Sequence, residues 1–113
     1  MTGASRRSPC RDCGHDTTPR RPREYDDEYL ANYSGQWEFY AVHDHVWRAA
    51  GMPADDPTKR YGQRSGGFLC IGCLEARLGR ILTRQDFSDA RINDLGVYHH
   101  HTDRLRDRLT REN

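Results

Sequence analysis

The fold of this chain is decided by two short segments, GFLCIGCL at residues 67–74 and PCRDCG at residues 9–14. Each segment contains two cysteines separated by two residues, and a tight turn brings such a pair of sulfurs to one side at tetrahedral spacing. Gly14 and Gly72 favour these turns. The sequence therefore predicts one structural Zn²⁺ site with four thiolate ligands, Cys10, Cys13, Cys70 and Cys73.

The surroundings of the two pairs differ in a way that indicates a particular fold. Gly14 follows the first pair and can take a positive φ angle, which turns backbone N–H groups toward thiolate sulfur, as in a zinc knuckle. Cys73 is predicted to open an amphipathic helix, whose dipole stabilises the thiolate. The apolar face of this helix comprises Leu74, Leu78, Ile81 and Leu82, while Glu75, Arg77 and Arg80 face solvent. A knuckle, a strand region and a helix-borne cysteine pair occur in that order in a treble clef.

Redox chemistry and disulfides are the alternative interpretations of the cysteine pairs. A thioredoxin-like pair follows a strand of a βαβ unit, and the sequence predicts no such unit around either pair. No run of about 18 apolar residues and no apolar secretory segment is present, which predicts a cytoplasmic protein, and disulfides are rare in that compartment. His15 is a possible substitute ligand, although an exposed loop histidine is the simpler interpretation.

The remaining patterns predict an α+β domain with short strands and a loose N-terminal arm. The chain has 113 residues, enough for one domain, but is only 35% hydrophobic and 31% charged. Strands are predicted at 37–42 and 68–71, separated by an exposed loop at 51–67. Helices are predicted at 24–34, from Asp44 to Ala50, after Cys73 and at 99–111, with a Thr83–Asp86 cap before a short turn. We therefore expect a zinc-knuckle arm at 1–23, a zinc-stabilised core at 24–97 and a C-terminal helix at 98–113.

Charge is distributed unevenly along a chain whose net charge is only +1. Residues 1–23 and 57–91 are basic, and 24–56 is acidic. A shared metal would bring the two basic blocks together, which favours nucleic acid over protein as a macromolecular partner, with no small-molecule substrate evident. The predicted contact residues are Arg6, Arg7, Arg20, Arg21, Arg23, Lys59, Arg60 and Arg64. The acidic residues at 24–28 suit protein contact instead.

Other polar and aromatic residues offer alternatives to a binding role. His43, Asp44 and His45 resemble the first element of an HNH nuclease, a metal-dependent endonuclease built inside a treble clef. Such nucleases carry an Asn before the later cysteine pair and a His or Asn on the following helix, but residues 64–68 read RSGGF and residues 74–77 read LEAR. We therefore assign no catalytic residue. His99, His100 and His101 are predicted to form a solvated run, and Trp37, Tyr40 and Trp47 are predicted to lie in the core.

Three stretches resemble a family of uncharacterised, zinc-finger-like proteins from actinobacteria and their phages. They are YAVHDHVW at 40–47, GFLCIGCLEARLGR at 67–80 and, further on, Leu82-Thr83 with Asp86-Phe87. The resemblance implies a shared fold and metal site but no activity, and similar sequences often carry an acid at the position of His45. It adds a third functional hypothesis, a phage-type protein that acts in the host cytoplasm and binds or inhibits a host enzyme.

Overall fold

Three short α-helices form the framework of the part of the chain that the structure describes. The computed structural model describes residues 8–17, 37–54, 56–59, 64–97 and 101–112. The helices are α1 (Asp44–Ala49), α2 (Ile71–Leu78) and α3 (Asp103–Thr110), and two 3₁₀ turns, Arg84–Asp86 and Arg91–Asn93, lie between α2 and α3. The predicted helix at 24–34 lies outside the described residues.

The predicted strands do not form within these described ranges, where the backbone pairs only through isolated bridges. These bridges join Pro9 to Asp16, Cys10 to Phe68, Trp37 to His101 and Val42 to Phe87. Side chains occupy backbone groups that a neighbouring strand would need. The Asn93 side chain accepts the Ala41 N–H at 3.0 Å and donates to the Ala41 carbonyl oxygen at 2.7 Å. Tyr40 and Val42 of the segment 37–42 pack against the core without belonging to a sheet.

Helix α1 begins and ends close to the predicted positions. Asp44 is its first residue, and the N-cap is His43, so the predicted cap is displaced by one position. Gly51 ends the helix with φ +81°, as its position before Pro53 indicates. Val46 is buried, and the Trp47 indole N–H donates to the Ser65 carbonyl oxygen at 2.8 Å, which attaches the helix to residues just before the second cysteine pair.

Helix α2 carries the second cysteine pair in a different register from the predicted one. It begins at Ile71, between the two cysteines, and ends at Leu78, where Gly79 takes a left-handed φ of +73°. Because the helix ends there, the predicted apolar face does not continue through Ile81. The Ile81 side chain is 50% exposed, whereas Leu82 is fully buried.

Helix α3 begins at Asp103, four residues after the predicted start. Thr102 caps it by accepting the Leu105 N–H at 3.1 Å. The prediction that His101 is solvated is wrong, because its side chain is 2% exposed and its Nε2 lies 2.9 Å from the Ile92 carbonyl oxygen. His99 and His100 lie outside the described residues.

The core includes two of the four cysteines, Cys10 and Cys70, whereas Cys13 is exposed. Its buried members are Cys10, Val46, Ala50, Met52, Leu69, Cys70, Ile71, Leu74, Leu82, Phe87 and Leu105. The prediction that the aromatic residues belong to the core is confirmed: Trp37 is buried, and Tyr40 and Trp47 pack against this cluster. No helix in the described part of the chain is long and apolar enough to cross a membrane.

Candidate metal centre

The four cysteines converge at one point in the structure. Their sulfur atoms all lie within 4.8 Å of one another, and all four are free thiols. The sulfurs of Cys13 and Cys70 are 3.8 Å apart. Two ligands at about 2.3 Å from a tetrahedral Zn²⁺ have their sulfurs about 3.8 Å apart, so the observed separation and the donor type both fit zinc. The predicted meeting of the two C-x-x-C pairs is confirmed.

The first pair lies in the predicted knuckle. Gly14 has φ +80°, and its N–H donates to the Cys10 carbonyl oxygen at 2.8 Å. The Cys10 N–H in turn donates to the His15 carbonyl oxygen at 2.7 Å, which closes the turn. Burial opposes ionisation of Cys10, but backbone N–H groups of Cys70, Cys13 and Asp12 donate toward its sulfur and lower its pKa to about 7. The knuckle is therefore built to hold a thiolate.

Backbone and side-chain contacts join the knuckle to the second pair. The Arg11 N–H donates to the Phe68 carbonyl oxygen at 2.7 Å, beside the bridge between Cys10 and Phe68. Arg77 on α2 forms a two-pronged ion pair with Asp12, at 2.7 and 2.8 Å. Arg77 also donates to the Ala50 carbonyl oxygen at 2.9 Å, and it remains exposed, as predicted. This arginine connects the knuckle, α1 and α2.

The surroundings of the second pair favour the protonated thiols. Burial, and after it the neighbouring cysteines, raise the pKa of Cys73, and burial is also the largest cause of the raised pKa of Cys70. The expected stabilisation of the Cys73 thiolate by the helix dipole stays a prediction, because the causes that raise this pKa are burial and the other cysteines. A divalent cation would replace the protons and cancel the repulsion between sulfurs, which is how metal binding becomes linked to pH.

Gly72 has a different role from the predicted one. It lies inside α2 and is not among the glycines with positive φ, so the turn does not require it. A Cβ atom at this position would lie 2.7 Å from Nη1 of Arg104 on α3. Glycine here leaves room for a guanidinium group beside the second cysteine pair.

Glu38 is a site residue that the sequence analysis missed. Its side chain is 3% exposed, and its carboxylate accepts the Ile71 N–H at the start of α2 at 2.9 Å. Arg104 donates to it through Nε and Nη2 at 2.9 and 2.7 Å, and the Thr102 hydroxyl donates at 2.8 Å. Burial opposes ionisation, but these donors lower the pKa of Glu38. The one available signal was an acid within the aromatic run WEFY at 37–40.

The predicted nucleic-acid-binding residues lie mostly outside the described ranges. These undescribed residues are Arg6, Arg7, Arg20, Arg21, Arg23 and Arg60. Lys59 is exposed, and Arg64 is partly buried, where it lines an open groove of about 540 Å³ with Trp47 and Phe68. Three other arginines of the 57–91 block are paired with acids: Arg77 with Asp12, Arg80 with Asp86 and Arg84 with Glu112. The positive charge of this block is therefore partly neutralised.

The described histidines, among them those of the nuclease-like stretch, do not join a metal-binding group. His43, Asp44 and His45 are exposed at the start of α1, and the two imidazole rings stack with their centroids 5.6 Å apart. His15 is exposed next to the knuckle. Within the described ranges, the four cysteines are the one group of three or more possible ligands whose donor atoms converge.

Comparison with protein-family models, curated proteins and solved structures finds no match to this chain. In the residues that it describes, the structure defines a small globule with three helices and a four-cysteine cluster consistent with zinc. The resemblance to actinobacterial and phage proteins stays a prediction.

Proposed function

We propose that this chain is a non-enzymatic, zinc-stabilised binding module of treble-clef type. The observation that carries the proposal is the convergence of four sulfurs within 4.8 Å from segments separated by more than 50 residues, Cys13 and Cys70 being 57 positions apart. A knuckle followed by a helix that carries the second pair in its first turn supports the treble-clef assignment. Cys10, Cys13, Cys70 and Cys73 would hold Zn²⁺ as a closed structural site.

A closed site of four thiolates favours a structural over a catalytic role. Catalytic zinc keeps an open position for water or substrate, whereas four cysteines fill the tetrahedron. A structural zinc site contributes about 10–16 kcal/mol of apparent binding free energy in small zinc domains, comparable with the whole stability of a domain. Zinc would thus hold the knuckle against α2 and complete the small core.

We propose further that the module binds a macromolecule and that nucleic acid is favoured over protein. The support comes from the sequence, since Arg6 and Arg7 precede the buried Cys10 and three more arginines follow at 20, 21 and 23. Arg77, Arg80 and Arg84 are paired with acids. The expected contact with phosphate therefore falls on the arginines of residues 1–23. Such contacts with phosphate weaken as salt concentration rises.

Native mass spectrometry with metal analysis tests the zinc site. We expect one Zn²⁺ per chain in the wild type and its loss in a Cys10→Ser, Cys70→Ser double variant. A metal-free wild type that unfolds cooperatively would contradict the proposal.

Fluorescence anisotropy with single- and double-stranded oligonucleotides tests the partner. We expect binding that weakens with salt and is lost when Arg20, Arg21 and Arg23 are changed to Ser, with Arg48→Ser on α1 as the control. If the protein binds none of the oligonucleotides at low salt, nucleic acid is excluded as the partner and a protein partner, such as a host enzyme, is favoured.

A further inference from the structure

The start of helix α2 holds the second cysteine pair. Its N-cap residue is Cys70, whose sulfur belongs to the four-cysteine cluster. The first N–H of the helix, that of Ile71, donates to Oε1 of Glu38, 33 residues earlier in the chain. A distant carboxylate therefore satisfies one of the backbone N–H groups that have no partner within the helix.

The same carboxylate also meets the start of α3. Its Oε2 accepts a hydrogen bond from the hydroxyl group of Thr102, the residue that caps α3. Arg104, in the first turn of α3, donates to both carboxylate oxygens. Each oxygen of Glu38 thus has two donors. A carboxylate that is 3% exposed is stable only with such charge-assisted hydrogen bonds, and the partial positive charge at a helix N-terminus adds to them.

The position of this contact matters for the metal. Ile71 lies directly after Cys70 and two residues before Cys73, so a bond that fixes its N–H fixes the backbone between both ligands. Gly72 leaves the space in which the Arg104 guanidinium reaches this turn. Glu38 thus links the start of α3, through Thr102 and Arg104, to the turn of α2 that carries two of the four candidate ligands.

We propose that Glu38 is a positioning residue for the metal centre. It orients the Cys70–Cys73 turn through the Ile71 N–H, and Arg104 holds Glu38 in place. This inference rests on the proposed zinc site. Outer-shell partners of metal ligands typically change metal affinity by about 10–100-fold when they are removed.

The test compares zinc affinity and zinc release in the full-length protein. Affinity is measured by competition with a chromophoric chelator, and release from the metal-loaded protein by the rate of transfer to that chelator. We expect Glu38→Ala to weaken affinity by about 10–100-fold. Glu38→Gln, whose amide oxygen still accepts the Ile71 N–H, and Arg104→Gln should fall between the wild type and Glu38→Ala.

Arg108→Gln is the matched control. Arg108 also lies on α3 and pairs with Glu75 of α2 at 2.7 Å, but at a point further along the helix than the cysteine-bearing turn. We expect Arg108→Gln to lower the melting temperature while zinc release stays at the wild-type rate. Equal acceleration by Arg104→Gln and Arg108→Gln would show a general stability effect and overturn the positioning role.

Two further outcomes separate this inference from the proposed function. Wild-type zinc affinity and release in both Glu38→Gln and Arg104→Gln would overturn the role of Glu38 while leaving the zinc site intact. Failure of the wild type itself to bind zinc would overturn both. If Glu38→Ala does not fold, the release rates of the two milder variants decide the question.

Discussion

Removing zinc from the purified protein should abolish its cooperative fold. The cluster joins the knuckle to helix α2, two segments that are far apart in the chain. Cys13 and Cys70, for example, are 57 positions apart. The four thiols form no disulfide with one another, so without metal the crosslink between the two segments is lost. The contribution lost, about 10–16 kcal/mol, is comparable with the whole free energy of unfolding of a domain, about 5–15 kcal/mol.

The assay follows far-ultraviolet circular dichroism and thermal unfolding before and after treatment with a strong chelator at neutral pH. We expect the sharp transition of the loaded protein to disappear and to return when Zn²⁺ is added in equimolar amount. Mg²⁺, a cation that prefers oxygen ligands, serves as the control and should restore nothing. If the chelated protein keeps its sharp unfolding transition, the prediction is refuted, because the hydrophobic core would then stabilise the fold without metal.

Three further predictions concern particular side chains. Leu105→Ala should destabilise the loaded protein by about 2–5 kcal/mol in urea unfolding, since Leu105 is fully buried; a smaller loss would mean that α3 packs loosely. Asp86→Asn should cost about 1–2 kcal/mol, because Asp86 accepts from Thr83 and from the half-exposed Arg80. The pKa of Asp86 is lowered by Arg80, so its contribution is present above its unfolded pKa of about 3.9 and lost as pH falls through the folded value. The stability lost in Asp86→Asn should therefore be constant around neutral pH, and a difference in stability that varied there would mean that another titrating group is responsible. Plasmid incubated with Mg²⁺ or Mn²⁺ should stay intact, and nicking that disappears in His45→Ala would establish the nuclease alternative.

The features that the sequence predicted correctly depend on neighbours along the chain. The positive φ of Gly14 follows from its place after a C-x-x-C pair, and Gly51 ends α1 because it stands just before Pro53. The Thr83–Asp86 capping box is confirmed for the same reason, as both residues lie within one turn. These arrangements need no contact from elsewhere in the molecule.

The errors occur where distant segments compete for the same groups. Residues 37–42 have strand composition, but the Asn93 side chain takes the Ala41 backbone groups. His101 is buried rather than solvated because it bridges to Trp37. Composition and periodicity carry no information about such partners, since the partner is dozens of residues away.

The sequence by itself determined the candidate ligands: two C-x-x-C pairs specify four thiols at a spacing that suits one tetrahedral ion, whatever the intervening residues do. Only the tertiary structure decided how that centre is supported. Glu38, Arg104 and Gly72 look unremarkable in the chain and become neighbours of the second pair when α3 packs beside α2. The physical reason is that short-range geometry follows from covalent spacing, whereas a buried carboxylate must find its donors through space.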